Sequence, residues 1–207
     1  MTLKKYEDLT AVHLDVLKEV GNIGSGNAST ALSAMIGKNV LIEMPKVKLL
    51  DFQDAIDQAG GAETVIAGIL VRLSGDIDGM ILFLIEQEFA EIIIKTFFGK
   101  EHIDLLNLDE NDVSTLSEIG NIMASSYVGA IAQLAGIQIN VEAPSFTADM
   151  LGAVMSVPAI EFGEVSDKLL FIDKSLKIDD VSVKSNMMLI PTVESLAKLL
   201  GKLGVEA

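Results

Sequence analysis

The sequence contains no cysteine, only four prolines and no long apolar run. Without cysteine the chain can form no disulfide and has no thiolate for catalysis or metal binding. No apolar stretch approaches the roughly 18 residues that a membrane-spanning helix needs, and residues 1–10 lack the apolar segment of a signal peptide. We therefore expect a cytoplasmic protein with no membrane insertion.

Positive charge is also scarce. Lys and Arg number 15 against 30 Asp and Glu, which gives a formal net charge of -15. The resulting negative field would repel a phosphate backbone, so nucleic acid is not expected as a partner. Half of the 207 residues are apolar and 22% are charged, a composition that excludes disorder and allows a substantial core.

The chain carries an internal repeat. Residues 15–45 align without a gap to residues 114–144, at a constant offset of 99 positions. The first copy contains Glu-Val-Gly-Asn-Ile at 19–23, and the second contains Glu-Ile-Gly-Asn-Ile at 118–122. Chance rarely preserves such a spacing over this length, so we expect the chain to consist of two similar halves.

A second pair of similar segments, 82–99 and 187–204, lies 105 positions apart. The change of offset predicts an insertion of about six residues, which a surface loop tolerates. The sequence therefore predicts a single domain over 1–207, built of two repeats at about 8–104 and 105–207.

Each repeat is expected to run helix, strand, strand, strand, helix. Periodicity predicts long helices over Asp8–Ile36 and Asp109–Ala135. The predicted strands are Val40–Met44, Val65–Leu73 and Met80–Ile85 in the first repeat, and Ile137–Val141, Leu169–Ile172 and Asn186–Ile190 in the second. The fold class is α/β (α+β), with tandem halves that share a largely antiparallel sheet covered by helices and two long helices related by a pseudo-twofold axis.

A polar row marks one face of each long helix, at spacings of four and three residues. The rows are Asp15, Glu19 and Asn22 in the first helix, and Ser114, Glu118 and Asn121 in the second. The first row is displaced by about 100° from an expected buried stripe, so it should face outward. That stripe consists of Val12, Val16, Val20 and Ile23.

Two interpretations of these rows stay open on spacing alone. Glu and Asn at helical spacing usually form a solvated surface, but a carboxylate and a carboxamide one turn apart can also grip a cation and orient a water molecule. Gly21 and Gly120 lie beside the rows, where a glycine costs about 1 kcal/mol relative to alanine. This cost suggests either the close approach of another backbone or close helix packing.

The repeated pattern continues to Pro45 and Pro144, each 23 positions after its asparagine. It resembles the motif of the CheC-type chemotaxis phosphatases, the CheC/CheX/FliY family, over nearly the whole chain. The resemblance implies an enzyme, a hydrolase that cleaves the aspartyl phosphate of the response regulator CheY in two-component chemotaxis signalling. It implies no cofactor of the chain's own, because magnesium is expected on the receiver substrate.

By the same resemblance, Asn22 and Asn121 would orient the attacking water, and Glu19 and Glu118 would anchor the receiver lysine. Asp15 and Ser114 would take supporting roles. The first copy continues as Gly24-Ser25-Gly26-Asn27 and the second as Ala124-Ser125-Ser126-Tyr127, so the two sites are expected to be unequal.

An alternative function is a non-catalytic adaptor that sequesters phosphorylated CheY and regulates the receptor deamidase CheD. Asp149 is a candidate contact for CheD, against a default role as a helix cap. The related flagellar-switch phosphatase is disfavoured, since it would carry a further C-terminal domain. A single-site relative working as a dimer is also disfavoured, because both sites lie in this chain and a monomer suffices.

Other signals are weak. His13 and His102 lack partners at catalytic spacing and are expected at the surface. Asp51, Asp54 and Asp57 would form a solvated helix face. Residues 76–79 begin like a calcium loop but fit a hairpin turn better, so no metal is expected. The glycines around Gly24 lie inside a helix, which argues against a nucleotide loop.

Overall fold

A computed structural model describes residues 3–163 and 167–206 of the chain. The described helices are α1 (Ala11–Ile36), α2 (Phe52–Gln58), α3 (Gln87–Phe98), α4 (Glu110–Ala135), α5 (Leu151–Val154), α6 (Ser156–Phe162) and α7 (Val193–Lys202). The described strands are β1 (Val40–Ile42), β2 (Lys46–Asp51), β3 (Val65–Gly75), β4 (Gly79–Ile85), β5 (Ile139–Val141), β6 (Ser145–Met150), β7 (Lys168–Ile178) and β8 (Val181–Pro191). Single 3-10 turns occupy Tyr6–Asp8 and Leu105–Asn107.

All eight strands form one antiparallel sheet. Its order is β1-β7-β8-β4-β3-β5, with β2 also paired to β7 and β6 also paired to β3. If each strand is exchanged for its counterpart in the other half, this order reads the same from either end. The pseudo-twofold relation therefore passes between the central strands β4 and β8, where Phe83 lies opposite Met187.

The two halves exchange their outer strands. In β2, Val47 pairs with Ile172 of β7, so a strand of the first half lies on a strand of the second. In β6, Phe146 pairs with Ile69 of β3, which is the reciprocal exchange. Neither half completes its part of the sheet alone.

The sheet separates two cores. The larger core contains side chains of α1, α3, α4 and α7, together with sheet residues such as Ile69 and Phe83. The smaller core lies on the opposite face, where Met80 and Leu82 meet side chains of α2 and α5. Successive strand residues point to opposite faces, so this division follows the alternation along β4. The two long helices therefore lie on the same face of the sheet.

Local chemistry fixes the ends of the long helices. Thr10 caps α1 by accepting a hydrogen bond from the His13 N–H, and Asp109 caps α4 by accepting from the N–H groups of Asn111 and Asp112. Both helices end at a glycine in the left-handed region, Gly37 (φ 66°) and Gly136 (φ 64°). The predicted helices are confirmed, with starts displaced by three residues or fewer.

The expectation of three strands in each half is wrong. After Pro45 and Pro144 the chain forms the additional strands β2 and β6, which place the turns of α2 and α5 beneath the sheet. The second half has the expected extra residues between β6 and β7, but there they include the helix α6, so the expectation of a loop is wrong for this helix.

The offset of 105 does not relate the strands β4 and β8 to each other. Leu84 and Met188, which are 104 positions apart like the opposed pair Phe83 and Met187, both face the smaller core. The N-caps of the helices that follow, Glu86 and Thr192, are 106 positions apart, which is also an even number. An odd offset would place the corresponding side chains of the two strands on opposite faces of the sheet, so 105 is excluded for them.

The predicted apolar stripe on α1 is confirmed at Val20 but wrong at Val12 and Ile23. Val12 is 60% exposed and Ile23 is 36% exposed. The buried side of the helix instead includes His13, Leu17, Val20, Gly24, Ala28 and Leu32. This side is rotated toward α4, against which α1 packs closely.

His13 is buried rather than exposed. Its Nδ1 accepts a hydrogen bond from the Thr10 N–H at 3.1 Å, which leaves Nε2 to donate to the Glu206 carbonyl at 2.9 Å. These two bonds satisfy the ring and tie the start of α1 to the end of the chain. His102 is exposed as predicted.

Candidate functional site

Helices α1 and α4 pack side by side on the sheet and present both polar rows at their surface. Glu19 and Glu118 are exposed, whereas Asn22 and Asn121 are half-buried. This difference follows from helix geometry, since each asparagine lies one position after a buried glycine. Each site therefore has an outer carboxylate and an inner carboxamide.

The supporting positions of both rows also lie at the surface. Asp15 and Ser114 are exposed, each one turn before its glutamate. The structure thus brings the three members of each row onto one helix face, with the outward orientation that the spacing predicts.

The four principal side chains are free of internal partners. Within residues 3–163 and 167–206, Glu19, Asn22, Glu118 and Asn121 make no side-chain hydrogen bond or ion pair. An asparagine amide offers two donors and one acceptor oxygen, so a half-buried amide without a partner retains this capacity for an external group. Ordinary surface residues share this property, but here it is repeated on the same motif twice.

The turn that carries Asn22 rests on residues from elsewhere in the chain. A Cβ atom added at Gly21 would lie 2.8 Å from the Tyr127 hydroxyl oxygen and 3.3 Å from Cγ of Pro45. A Cβ atom at Gly24 would lie 2.7 Å from Cδ2 of Tyr127. Glycine is required at both positions because the Tyr127 ring fills the space that a side chain would take.

The turn that carries Asn121 rests on a different residue. A Cβ atom at Gly120 would lie 2.5 Å from Cγ2 of Ile69, a residue of β3. The expected approach of another backbone is therefore wrong for Gly21 and Gly120, since side chains lie nearest to both. The alternative expectation, close packing of the helix, is confirmed.

A buried lysine lies beside the support of the first site. Lys174 of β7 is 3% exposed, and its Nζ lies 5.9 Å from the ring centroids of Tyr127 and Phe83. Burial lowers the pKa of Lys174 to about 8. Burial also raises the pKa of the Tyr127 hydroxyl, so this group stays protonated at neutral pH.

The described residues show neither a metal centre nor a membrane span. No group of three or more His, Asp or Glu side chains among them could hold a metal ion. No helix in the described parts of the chain is long and apolar enough to cross a membrane. The carboxylates and carboxamides of the two rows themselves can form ion pairs and hydrogen bonds.

Asp149 lies away from both rows. It is an exposed residue of β6, and its carboxylate accepts a hydrogen bond from the Met150 N–H at 2.7 Å. The N-cap of α5 is Met150, so the default expectation of a helix cap at Asp149 is wrong. Asp51, Asp54 and Asp57 are exposed as predicted, and residues 76–78 form the hairpin turn between β3 and β4.

Sequence reasoning missed the residues beneath the sites. Tyr127, Ile69 and Lys174 carry no motif, and they reach the helices only through the tertiary fold. The sole signal was the difference between the two copies after the shared pentapeptide. At the offset of 99, Tyr127 corresponds to Ala28, so this large aromatic side chain has a small counterpart.

Comparison with known proteins places these features in context. The CheC-like family model matches residues 12–49 and 113–147, and each segment contains one polar row and its proline. The chain is 34% identical over 195 residues to the CheY-P phosphatase CheC of Bacillus subtilis (strain 168), covering 92% of this chain and 93% of that protein.

Two further similarities involve flagellar proteins. The chain is 25% identical over 190 residues to the flagellar motor switch phosphatase FliY of Bacillus subtilis (strain 168), covering 91% of this chain and 49% of that protein. The crystal structure of Thermotoga maritima FliY superposes with a TM-score of 0.76 at 20% identity, covering 95% of this chain and 98% of that chain. The second similarity concerns the fold alone.

Proposed function

This chain belongs to the CheC-like family, and from that membership we propose that it is a phosphatase that hydrolyses the aspartyl phosphate of a CheY receiver domain. The observation that carries the proposal is the pair of exposed turns on α1 and α4. Each turn presents one glutamate and one asparagine that have no partner among the described residues.

Asn22 and Asn121 would orient the attacking water. A carboxamide can accept a hydrogen bond from water through its oxygen and donate another to a phosphoryl oxygen through its nitrogen. Half-burial favours this role, because the helix surface restricts the amide more than it restricts the exposed glutamate next to it.

Glu19 and Glu118 would anchor the receiver. A carboxylate repels a phosphoryl group and attracts a lysine, so these side chains suit a cationic group of the receiver rather than the phosphate itself. Asp15 and Ser114, one turn earlier and exposed, would support this contact from the rim.

The transition-state stabilisation that this proposal requires of the phosphatase is small. An acyl phosphate is already activated, and the receiver itself would supply the magnesium ion and lysine that neutralise phosphoryl charge. The phosphatase then needs only to hold water in line with phosphorus. A hundredfold gain would require about 2.7 kcal/mol of transition-state stabilisation, which one oriented amide can deliver.

The proposed setting follows from this substrate. A receiver domain of chemotaxis signalling acts in the cytoplasm, so the reaction would take place there with the chain as a monomer that holds both sites. A contact between Asp149 and the deamidase CheD stays a prediction, supported by the exposure of Asp149 and Met150 at the sheet edge.

The test is phosphate release from an excess of phosphorylated receiver. Substoichiometric protein should clear the whole pool, whereas an adaptor that only sequesters the receiver would bind no more than two receivers per chain. The variant Asn22→Ala/Asn121→Ala should lose the stimulated rate while keeping its thermal unfolding midpoint. Asn27→Ala is a matched control, because Asn27 is exposed on α1 but outside the polar row.

Loss of activity in Asn27→Ala, or full activity in the double asparagine variant, would contradict the proposal. Loss of free phosphorylated receiver that stops at two receivers per chain, one for each site, would favour the adaptor instead.

A further inference from the structure

Tyr127 belongs to the second half of the chain but supports the site of the first. Its hydroxyl lies against Gly21, the residue directly before Asn22 and two positions after Glu19. The nearest approach at Gly24 involves the ring and, at 3.2 Å, the Cα of Tyr127 itself. Helix α4 is therefore so close to α1 at this point that the ring cannot withdraw without moving a helix.

The Tyr127 ring is also confined from the sheet side. It is 2% exposed, and Lys174 and Phe83 lie beneath it in the larger core. A buried aromatic ring in a closely packed core has one allowed position, because neighbouring atoms leave no second rotamer free. The hydroxyl therefore meets the Gly21 turn at a fixed point.

The second site has a different support. The residue at the position corresponding to Tyr127 is Ala28, and the residue corresponding to Lys174 on β3 is Val71. The Gly120 turn instead rests on the aliphatic side chain of Ile69. The pseudo-twofold relation thus holds for the polar rows but fails for the residues beneath them.

We propose that Tyr127 is a positioning residue for the first site alone. The inference rests on the proposed phosphatase function and assigns to that site an aromatic hydroxyl as its support, where the second site has the aliphatic side chain of Ile69. The hydroxyl packs against the Gly21 turn and so fixes the position from which the Asn22 amide orients water for in-line attack. A displacement of about 1 Å at such a group can cost about a hundredfold in rate, so the support beneath it matters.

The test uses single-site proteins. Asn121→Ala leaves only the first site, and Asn22→Ala leaves only the second. Into each we introduce Gly21→Ala, Tyr127→Phe and the two changes together, and measure kcat and KM for phosphorylated receiver. The thermal unfolding midpoint of every variant is recorded in parallel.

The expected kinetic effects of these variants follow from the contacts at Gly21. The methyl introduced by Gly21→Ala would lie 2.8 Å from the Tyr127 hydroxyl oxygen, a distance that forces the turn to move. Without that oxygen the next tyrosine atom, Cζ, is 3.8 Å away, which is an ordinary contact, and Cγ of Pro45, at 3.3 Å, needs to move by only a few tenths of an ångström. The methyl then fills the volume that the hydroxyl vacates, so Tyr127→Phe should rescue Gly21→Ala.

In the first-site protein, Gly21→Ala should lower kcat about tenfold with little change of KM, since a positioning defect acts on the transition state. The combination with Tyr127→Phe should return kcat to within about twofold of the parent. In the second-site protein all three changes should leave kcat unaltered.

Equal losses in both single-site proteins would overturn the inference, because they would indicate a general packing defect. Absence of rescue, or a full kcat for Gly21→Ala at the first site, would overturn it as well. These outcomes differ from failure of the proposed function, in which neither single-site protein would exceed the Asn22→Ala/Asn121→Ala variant.

Discussion

The ammonium nitrogen of Lys174 lies as far from the centre of the Tyr127 ring as from the centre of the Phe83 ring, 5.9 Å in each case. Among the described residues no carboxylate forms an ion pair with it. Cation–π attraction offsets part of the cost of removing this charge from water, while burial lowers the pKa of Lys174. The core beside the first site therefore contains a charge that destabilises the folded state.

Replacement of this charge should stabilise the protein. Lys174→Met keeps the length of the side chain and removes the charge, so at pH 7 the free energy of unfolding should rise by about 2 kcal/mol. Urea unfolding of the two proteins measures the difference. Lys177→Met on the same strand is the control, because Lys177 is exposed and its replacement should have little effect.

The same variant should show a defined pH dependence. The folded pKa of about 8 lies below the ordinary value of 10.5, so between these values the unfolded chain binds more protons than the folded chain. The stability of the parent protein should therefore rise with pH across this window relative to Lys174→Met. The advantage of the variant should be largest below pH 8 and shrink toward pH 10.5. An advantage that is independent of pH would contradict the assignment of the lowered pKa to Lys174.

Gly120 should not tolerate a side chain. The methyl of Gly120→Ala would lie 2.5 Å from Cγ2 of Ile69, so we expect a loss of about 2 kcal/mol in the free energy of unfolding. Gly129→Ala on the same helix is the matched control. Gly129 has no neighbour within 4 Å of an added Cβ, and alanine there should stabilise the helix by up to about 1 kcal/mol. Equal effects at the two positions would show that Ile69 does not constrain the turn.

Replacement of the two glutamates and replacement of the two asparagines should change different kinetic parameters. Glu19→Ala/Glu118→Ala removes an anchor that acts before and during the reaction, so KM should rise about tenfold with kcat largely retained. The double asparagine variant should instead lose kcat. Steady-state kinetics with phosphorylated receiver separates the two patterns, and a pure kcat defect in the glutamate variant would argue against anchoring.

The start of α4 should depend on the buried carboxylate of Asp112. Asp112 is 3% exposed, accepts a hydrogen bond from the Asp109 N–H, and lies 2.6 Å from Nζ of Lys100. Asp112→Ala removes the acceptor of the Asp109 N–H, but Lys100 keeps Asp109 as a partner at 2.7 Å, so the free energy of unfolding should fall by about 1 kcal/mol. Chemical denaturation measures the loss, with exposed Glu110→Ala as the control. No loss for Asp112→Ala would mean that water replaces the carboxylate.

Much of the fold could be predicted because its signals are local. Helical periodicity and the polar residues at Thr10 and Asp109 define the long helices, and the turn after Gly75 defines the first hairpin. The surface location of both polar rows follows from spacing on a helix. The catalytic roles of these residues and the repeat boundaries at 8–104 and 105–207 stay predictions.

The errors have non-local causes. His13 is buried because its ring finds a carbonyl 193 positions away, at Glu206. Val12 is exposed because α1 packs the side with Gly21 and Gly24 against α4, where both glycines lie next to Tyr127. Strands β2 and β6 pair with strands of the opposite half, so no partner nearby in the sequence marks either of them, although Ser145–Met150 alternates polar and apolar residues.

The exchange of outer strands bears on how such a duplicated chain evolves. Two identical subunits could build a comparable sheet only with matching residues at both ends, because every substitution would appear twice. Once a single polypeptide contains both copies, a mutation changes one end and leaves the other alone, while the shared strands prevent the ends from separating. Tyr127 has Ala28 as its counterpart in the other repeat, and Lys174 has Val71; both are differences of this kind. One active turn could therefore specialise without loss of the other.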